Sequence, residues 1–496
     1  MESKPKAHLF AFAAMALFIF VFLGSEYHFD IAYGELAGPD SVVGAQASIL
    51  ATSAIGLVGY SLVNRMAVAK HRSILAGVLG TISALLLIAT QLTQSASALL
   101  SLGCLLFLIL GMLGNATYFS VAQTHYASSY LSRLVGASYA AGLLAQFLLH
   151  SLAPNSIVEA AIIGASIIVL GFVLAARRNV LQVTPAESTL SKEDQRTTDE
   201  RDALKEAILL LACVSLIACV FSTLDNVVTL ANAQGTFDLS AWPRLLLAVS
   251  GIATGFIFDL TRHRYSTVTM LCVAMLSLVS ALAIQTGSEV LLGLIIFYLS
   301  SGFFVVFFTS SFLRIAMRCA NPSLWAGMGR AANNACAALV AIPSMTLISS
   351  GDILLISSIT IALAMATLLV AHALENMRRT ARYKAENKVL KLAELTATAQ
   401  TQTTKPQEEP ETKAPADKNT PDKHLAAFSE RYSLTPRERD VLSAVCSSEE
   451  TLQCIADDMG ISLRALQKHL TSIYRKSDTQ SRAGLCSAAL TEPLKD

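Results

Sequence analysis

Residues 461–476, ISLRALQKHLTSIYRK, carry two patterns on one short segment. At 100° per residue, Leu463, Leu466, Leu470 and Ile473 share one helical face, while Arg464, Lys468, Thr471 and Arg475 gather on nearly the opposite one. An apolar stripe backing a cationic stripe suits contact with a polyanion, because Lys and Arg neutralise phosphates. The cations are also segregated. Over 424–496 the Lys and Arg residues are balanced by Asp and Glu, yet 461–482 holds Arg464, Lys468, Arg475, Lys476 and Arg482 against Asp478 alone. An ordinary solvated basic face is the plain alternative, and this segregation argues against it.

Such a helix needs others to aim it. LTPRERDVLSAV places Thr435 as N-cap, Pro436 at the first helical position and Glu438 three residues after the cap, a capping box. TLQCIADDMG is a second helix, capped by Thr451 and stopped near Gly460; Ser462 caps the third and Ser481 a fourth. Helix, tight turn, outward cationic helix is the arrangement that enters a DNA major groove.

This stretch resembles the LuxR-type four-helix DNA-binding domain. That family runs L-T-x-R-E-x-x-V-L, I-A, I-S-x-x-T-V-K-x-H, K-L and S-R. Here stand Leu434, Thr435, Arg437, Glu438, Val441, Leu442, Ile455, Ala456, Ile461, Ser462, His469, Lys476, Ser481 and Arg482, with the spacing kept. Ala465, Leu466 and Gln467 replace T-V-K, Ser477 replaces the leucine after Lys476, and Glu449 replaces the usual glycine before the second helix. The resemblance implies double-stranded promoter DNA as partner, with Gln467, Lys468 and Thr471 facing bases. It also implies a homodimer formed through the fourth helix and a bacterial source, with RNA polymerase as an open further partner.

The rest of the chain is of another kind. Of 496 residues, 53% are hydrophobic and 15% charged, against about 25% charged in soluble proteins. The apolar run Leu9–Leu23 is followed by GSEYHF with no small-residue cleavage site, so it reads as a retained span. Twelve stretches suit a bilayer: 8–28, 41–63, 73–92, 98–122, 132–152, 156–176, 205–227, 241–260, 266–286, 289–313, 327–349 and 352–374. With the N-terminus inside, Arg65, Lys70, Arg72, Arg133, Arg177, Arg178, Arg262, Arg264, Arg314, Arg318, Arg378 and Arg379 all fall on the cytoplasmic side. The opposite connections hold no Lys or Arg, so both termini are expected in the cytoplasm.

The polar stretch 179–204 divides the spans six and six, as in two pseudo-repeated halves. GYSLVNRMAVAKHR follows span 2, and GFIFDLTRHR, with Gly255, Asp259, Arg262 and Arg264, follows span 8. Here the membrane part resembles the major facilitator superfamily, whose loop motif is roughly G-x-x-x-D-R-x-G-R-R. The first copy departs from it at Asn64 and Ala67. The expected fold is therefore all-α: a 12-helix transmembrane bundle of two six-helix halves, plus a C-terminal four-helix helix-turn-helix domain. The parts are 1–178 and 205–374 for the halves, 179–204 for a cytoplasmic central loop, 375–423 for a juxtamembrane helix and flexible linker, and 424–496 for the DNA-binding domain.

Ionisable groups inside spans are costly and hence functional candidates. Glu26 ends span 1, Asp225 and Asn226 end span 7, and Arg244 follows Pro243; spans 1, 4, 7 and 10 line the cavity in the resembled family, so Asn115 and Tyr118 join the set. Arg244 has two readings, a clamp for an anionic small molecule or a side chain that snorkels or pairs with Asp225 or Asp238. Arg330 is expected to snorkel at the inner end of span 11, with Asn333 and Asn334 as interhelical glue, and Gly251/Gly255 as close packing. The segment 374–399 reads as a helix, either a juxtamembrane extension or a dimerising coil, and 401–423 as a tether too polar to form a core. None of the nine cysteines forms a CxxC or Cys/His cluster; disulfides, metal, cofactors and catalytic residues are not expected.

Together these readings predict a regulator in the bacterial cytoplasmic membrane that senses a small molecule and binds promoter DNA, not an enzyme. The alternatives are an active secondary transporter with a regulatory DNA-binding tail, and a tail that binds protein instead of DNA.

Overall fold

The computed structural model describes residues 4–66, 69–153, 155–176, 193–234, 243–261, 266–285, 290–350, 352–403, 420–447, 452–477, 479 and 482–490. Every element among them is helical, and the chain divides into two compact units, Met1–Ala381 and Arg382–Asp496.

The first unit begins with α1 (Lys4–Ala37), α2 (Val42–Met66), α3 (Ala69–Leu92), α4 (Ala96–His125), α5 (Leu131–Leu152) and α6 (Ser156–Ala176). It continues with α7 (Glu193–Ala233), α8 (Pro243–Leu260), α9 (Ser266–Gln285), α10 (Val290–Ala316), α11 (Pro322–Trp325) and α12 (Met328–Ser349). The last helix, α13 (Ile353–Thr403), runs through the end of this unit as one rod, so the expected juxtamembrane helix continues the final span without a break. Among the described residues nine helices are long and apolar enough to cross a membrane, which makes this a membrane protein by composition and length. α12 opens with Arg330, Asn333 and Asn334.

Three boundaries differ from expectation for local reasons. α1 continues past residue 28 to Ala37, because FDIAYGELA contains no proline and the helix stops only at Gly38, whose φ of 88° suits glycine, followed by Pro39. α7 starts at Glu193, inside the stretch read as a loop: EDQRTTDERDALKEA has helix formers and no Gly or Pro. Residues 179–192 lie outside the described residues. The short α11 was not foreseen; Asn321 and Pro322 start it, and it ends after four residues.

Packing inside the bundle relies on close backbone approach, since lipid gives helices little hydrophobic reason to associate. α2 and α4 cross where Gly111 faces the Ser53 carbonyl and Gly56 faces the Leu108 carbonyl; a Cβ at either would collide with backbone. α5 and α8 cross the same way, with Gly136 against the Gly251 carbonyl and Gly255 against the Ser132 carbonyl. Thus the helix pairs α5/α8 and α2/α12 join the first six helices to the later ones.

The second unit contains α14 (Thr420–Arg431), α15 (Pro436–Ser447), α16 (Leu452–Asp458), α17 (Leu463–Ser477) and α18 (Arg482–Leu490). The expected four helices are present, and a fifth, α14, precedes them; it begins in the last four residues of the stretch read as tether and runs into the start of the expected domain. Its Phe428 is fully buried in a core with Leu434, Val441, Leu442, Ile455 and Leu466. Leu425 of the same helix packs against that core beside Phe428, which is what holds α14 to the domain.

Candidate nucleic-acid interface and central cavity

α17 is positioned by the turn before it. Gly460 has φ 64°, the Ile461 amide donates to the Ala456 carbonyl at 2.9 Å and the Gly460 amide to the Asp457 carbonyl at 3.1 Å. That pair of bonds closes α16 in a Schellman motif. Ser462 then caps α17, its Oγ accepting from the Ala465 amide at 3.2 Å. Thr451 and Ser481, read as caps, lie outside the described residues. Leu466, Leu470 and Ile473 are buried against α15 and α16, with Leu463 partly so. The opposite face presents Arg464, Gln467, Lys468, Thr471 and Arg475, all exposed.

The remaining two candidates serve the domain itself. Lys476 Nζ donates to Glu438 Oε2 at 2.6 Å and to the Ser433 carbonyl at 3.2 Å. Arg482 donates through Nε and Nη2 to the Val445 carbonyl at 3.3 and 3.0 Å. Glu438 also completes the capping box: it accepts from the Thr435 amide at 2.8 Å while its own amide donates to Thr435 Oγ1 at 3.3 Å. Burial alone would raise its carboxyl pKa, but Lys476 and the Thr435 amide hold it down at about 2. Cys446 and Cys486 are free thiols whose sulfurs lie 2.9 Å apart. The bond from Cys446 and the nearby Arg482 guanidinium outweigh burial and hold Cys486 at about 7.

In the first unit a cavity of about 520 Å³ opens among α1, α2, α5, α7, α8, α10 and α12. Glu26 and Asp225 line it. Asn226 does not: it donates to Ser344 Oγ at 3.1 Å and is 5% exposed, joining α7 to α12. Asn115 donates to the Leu57 and Ser323 carbonyls at 2.5 and 2.8 Å, tying α4 to α2 and α11. Tyr118 is buried edge-on against Phe18, 5.5 Å between centroids. Neither α4 residue lies in the cavity lining. The side chain of Arg244 lies outside the described residues.

The arginine that does reach the cavity is Arg330, expected to snorkel. It is 7% exposed, lines the cavity, and holds its guanidinium 5.0 Å above the Phe22 ring. The reason is α11. With Gly327 packed on the Asn115 amide and Ser323 bonded to it, the chain enters the bundle before α12 begins, so the first turn of α12 is already inside. Asn334 donates to Ser53 Oγ at 2.8 Å, tying α12 to α2.

Two polar networks brace this body. Asp259, whose side chain is fully buried, accepts from the Ser132 and Arg133 amides at 3.1 and 2.8 Å and from the Arg133 and Arg314 guanidiniums at 3.3 and 3.5 Å. A carboxylate at the start of α5 meets the unpaired amides and positive end of that helix. Tyr27, on the cavity wall, bonds His150 at 2.9 Å, and Glu159 accepts from His150 at 3.2 Å with His28 Nε2 standing 3.4 Å away. No spacing in the chain marks this second cluster, whose members come from α1, α5 and α6.

The second unit has the geometry of a helix-turn-helix DNA-binding domain, a capped and buttressed helix with a cationic outer face. Residues 432–489 match the family described as bacterial regulatory proteins, luxR family. No curated protein matches the chain. The chain therefore carries a LuxR-type DNA-binding domain joined to a set of apolar, membrane-length helices, and the domain indicates transcription regulation.

Proposed function

We propose that the chain is a membrane-embedded one-component transcription regulator of the bacterial cytoplasmic membrane, with both termini in the cytoplasm. A twelve-span body, similar to the major facilitator superfamily, binds a small molecule between its halves. The C-terminal domain occupies promoter DNA as a homodimer, with Arg464, Gln467, Lys468, Thr471 and Arg475 on the duplex. The observation that carries this is the coexistence on one chain of a cavity of about 520 Å³ among helices of both halves and a LuxR-type domain. The volume is in the range of small-molecule sites.

Binding shifts promoter occupancy only if the ligand favours one arrangement of the halves over the other. The contacts at stake are the crossings α5/α8 and α2/α12, including the Asp259 network. Mapping DNA occupancy in cells with and without candidate compounds tests the reading; occupancy that no compound alters, at sites unrelated to regulated genes, refutes it. The retained Asp259 arrangement favours a second reading, a transporter with a DNA-binding tail. Saturable uptake into proteoliposomes would support that one.

A further inference from the structure

Two thiols of the second unit meet across helices. Cys446 follows Val445 near the end of α15, and Cys486 stands on α18, 40 residues further along the chain, yet their sulfurs lie 2.9 Å apart. No CxxC spacing announces the pair; the fold alone brings it together. Both cysteines are half-buried, so neither is sealed in the core away from a small solute. Two thiols make only half of a tetrahedral zinc site, and no third His, Cys, Asp or Glu joins them among the described residues.

The contact is held by the domain and not by the sulfurs. Leu485 and Ala489 of α18 are buried with Val441, Leu442 and Val445 of α15. Arg482, at the start of α18, donates to the Val445 carbonyl through two nitrogens, and Cys486 Sγ stands 3.8 Å from the same oxygen. Folding has therefore already met the entropy cost of bringing the two sulfurs together. Disulfide sulfurs sit about 2.05 Å apart, so bonding asks these two to approach by less than about 1 Å.

The surroundings favour reaction as well. A thiolate is the form that attacks an oxidant, and a nearby donor or positive charge favours it. The hydrogen bond from Cys446 holds the Cys486 thiol below the ordinary thiol range, against burial and with help from the Arg482 guanidinium. The same bond, with burial, pushes Cys446 up. Cys486 is thus the attacking sulfur and Cys446 the resolving one.

We infer that Cys446 and Cys486 form an oxidation site for a small hydroperoxide, which converts them to a reversible disulfide joining α15 to α18. The Cys486 thiolate attacks one peroxide oxygen; the O–O bond breaks, and the leaving oxygen takes up the proton that Cys486 released and departs as water or an alcohol. Cys486 is left as a sulfenic acid. The Cys446 sulfur attacks the Cys486 sulfur, an S–S bond replaces the S–O bond, and the hydroxyl leaves with the Cys446 proton as water. The two thiols lose two electrons and the peroxide gains them. In a reducing compartment the pair stays as thiols until an oxidant arrives, and thiol exchange restores it afterwards. The site is separate from the cavity and independent of what binds there.

The test treats the full chain in phosphatidylcholine nanodiscs with hydrogen peroxide, followed by alkylation and peptide mass mapping. One equivalent should yield a linked pair of peptides carrying Cys446 and Cys486, two hydrogen masses lighter than the free pair and reversed by dithiothreitol. At pH 7 the reaction should run at least tenfold faster than that of N-acetylcysteine, since an ordinary thiol is only a few per cent thiolate there, and its rate should be half-maximal near pH 7. Cys446→Ser should leave a sulfenic acid on Cys486 that dimedone traps, with no linked peptide. Cys486→Ser should slow oxidation of Cys446 at least tenfold. Melting temperatures within about 2 °C of the wild type certify both folds, and the wild-type peptide map decides alone if either variant fails to fold. No linked peptide in the wild type, a link between two chains, no trapped sulfenic acid in folded Cys446→Ser, or undiminished oxidation in folded Cys486→Ser overturns the assignment.

Discussion

Replacing Glu438 by Gln isolates one charge in the DNA-binding domain. The amide can still accept from the Thr435 amide, so the reciprocal cap survives, while the ion pair to Lys476 is lost. A carboxyl held at about 2 instead of 4.5 corresponds to about 3 kcal/mol of stability at neutral pH. Lys476 is 29% exposed, so solvent screens its part, and the discounted expectation is about 2 kcal/mol. For a domain the size of residues 420–496, that lowers the melting temperature by roughly 8–16 °C. The sign with pH follows from the lowered pKa. The stabilisation is complete above the ordinary value near 4.5 and is lost as pH falls from there through about 2. Thermal denaturation of residues 420–496, wild type and Glu438→Gln, from pH 7 to pH 3 measures both. The two melting curves should converge as pH falls. If they stay parallel, or differ by less than about 2 °C at pH 7, the ion pair does not hold α17 to α15 as argued.

Lys468→Ala, on the exposed face of α17, should weaken duplex binding by about 1–3 kcal/mol in anisotropy titrations at fixed salt, with the melting temperature moving by less than about 2 °C. Lys476→Ala should do the reverse, losing stability first, because its ammonium is already engaged. Phe428→Ala should cost about 3–5 kcal/mol in denaturant unfolding of the second unit; a cost under about 1 kcal/mol would show α14 to be an ornament and not part of the core. Asp259→Asn should destabilise the full chain by about 3 kcal/mol or more, read as a lower melting temperature in nanodiscs, since it leaves Arg133 and Arg314 without their buried carboxylate.

Periodicity and capping chemistry are local, and the elements that depend on them could be read directly. The Thr435–Glu438 box, the Gly460 stop and the Leu466–Leu470–Ile473 stripe stand where their spacing put them. So do the apolar runs, because length and hydropathy alone decide whether a helix suits a bilayer. Boundaries were less legible where no Gly or Pro marked them, as at α7 and at the long rod of α13.

What the sequence by itself determined is the chemistry of each segment: membrane-length helices, a polar connection, and a helix with a cationic face belonging to a DNA-binding domain. What only the tertiary structure decided is which polar groups meet. Lys476 and Arg482 look identical in type to Arg464 and Lys468, yet the fold turns the first two onto Glu438 and the Val445 carbonyl and leaves the others outward. Arg330 lies near the start of its helix, where an arginine ordinarily reaches for headgroups, and α11 carries it into the cavity instead. The physical reason is the same in both cases. A side chain's solvent is chosen by contacts between residues far apart in the chain, and no local pattern encodes the distance between them.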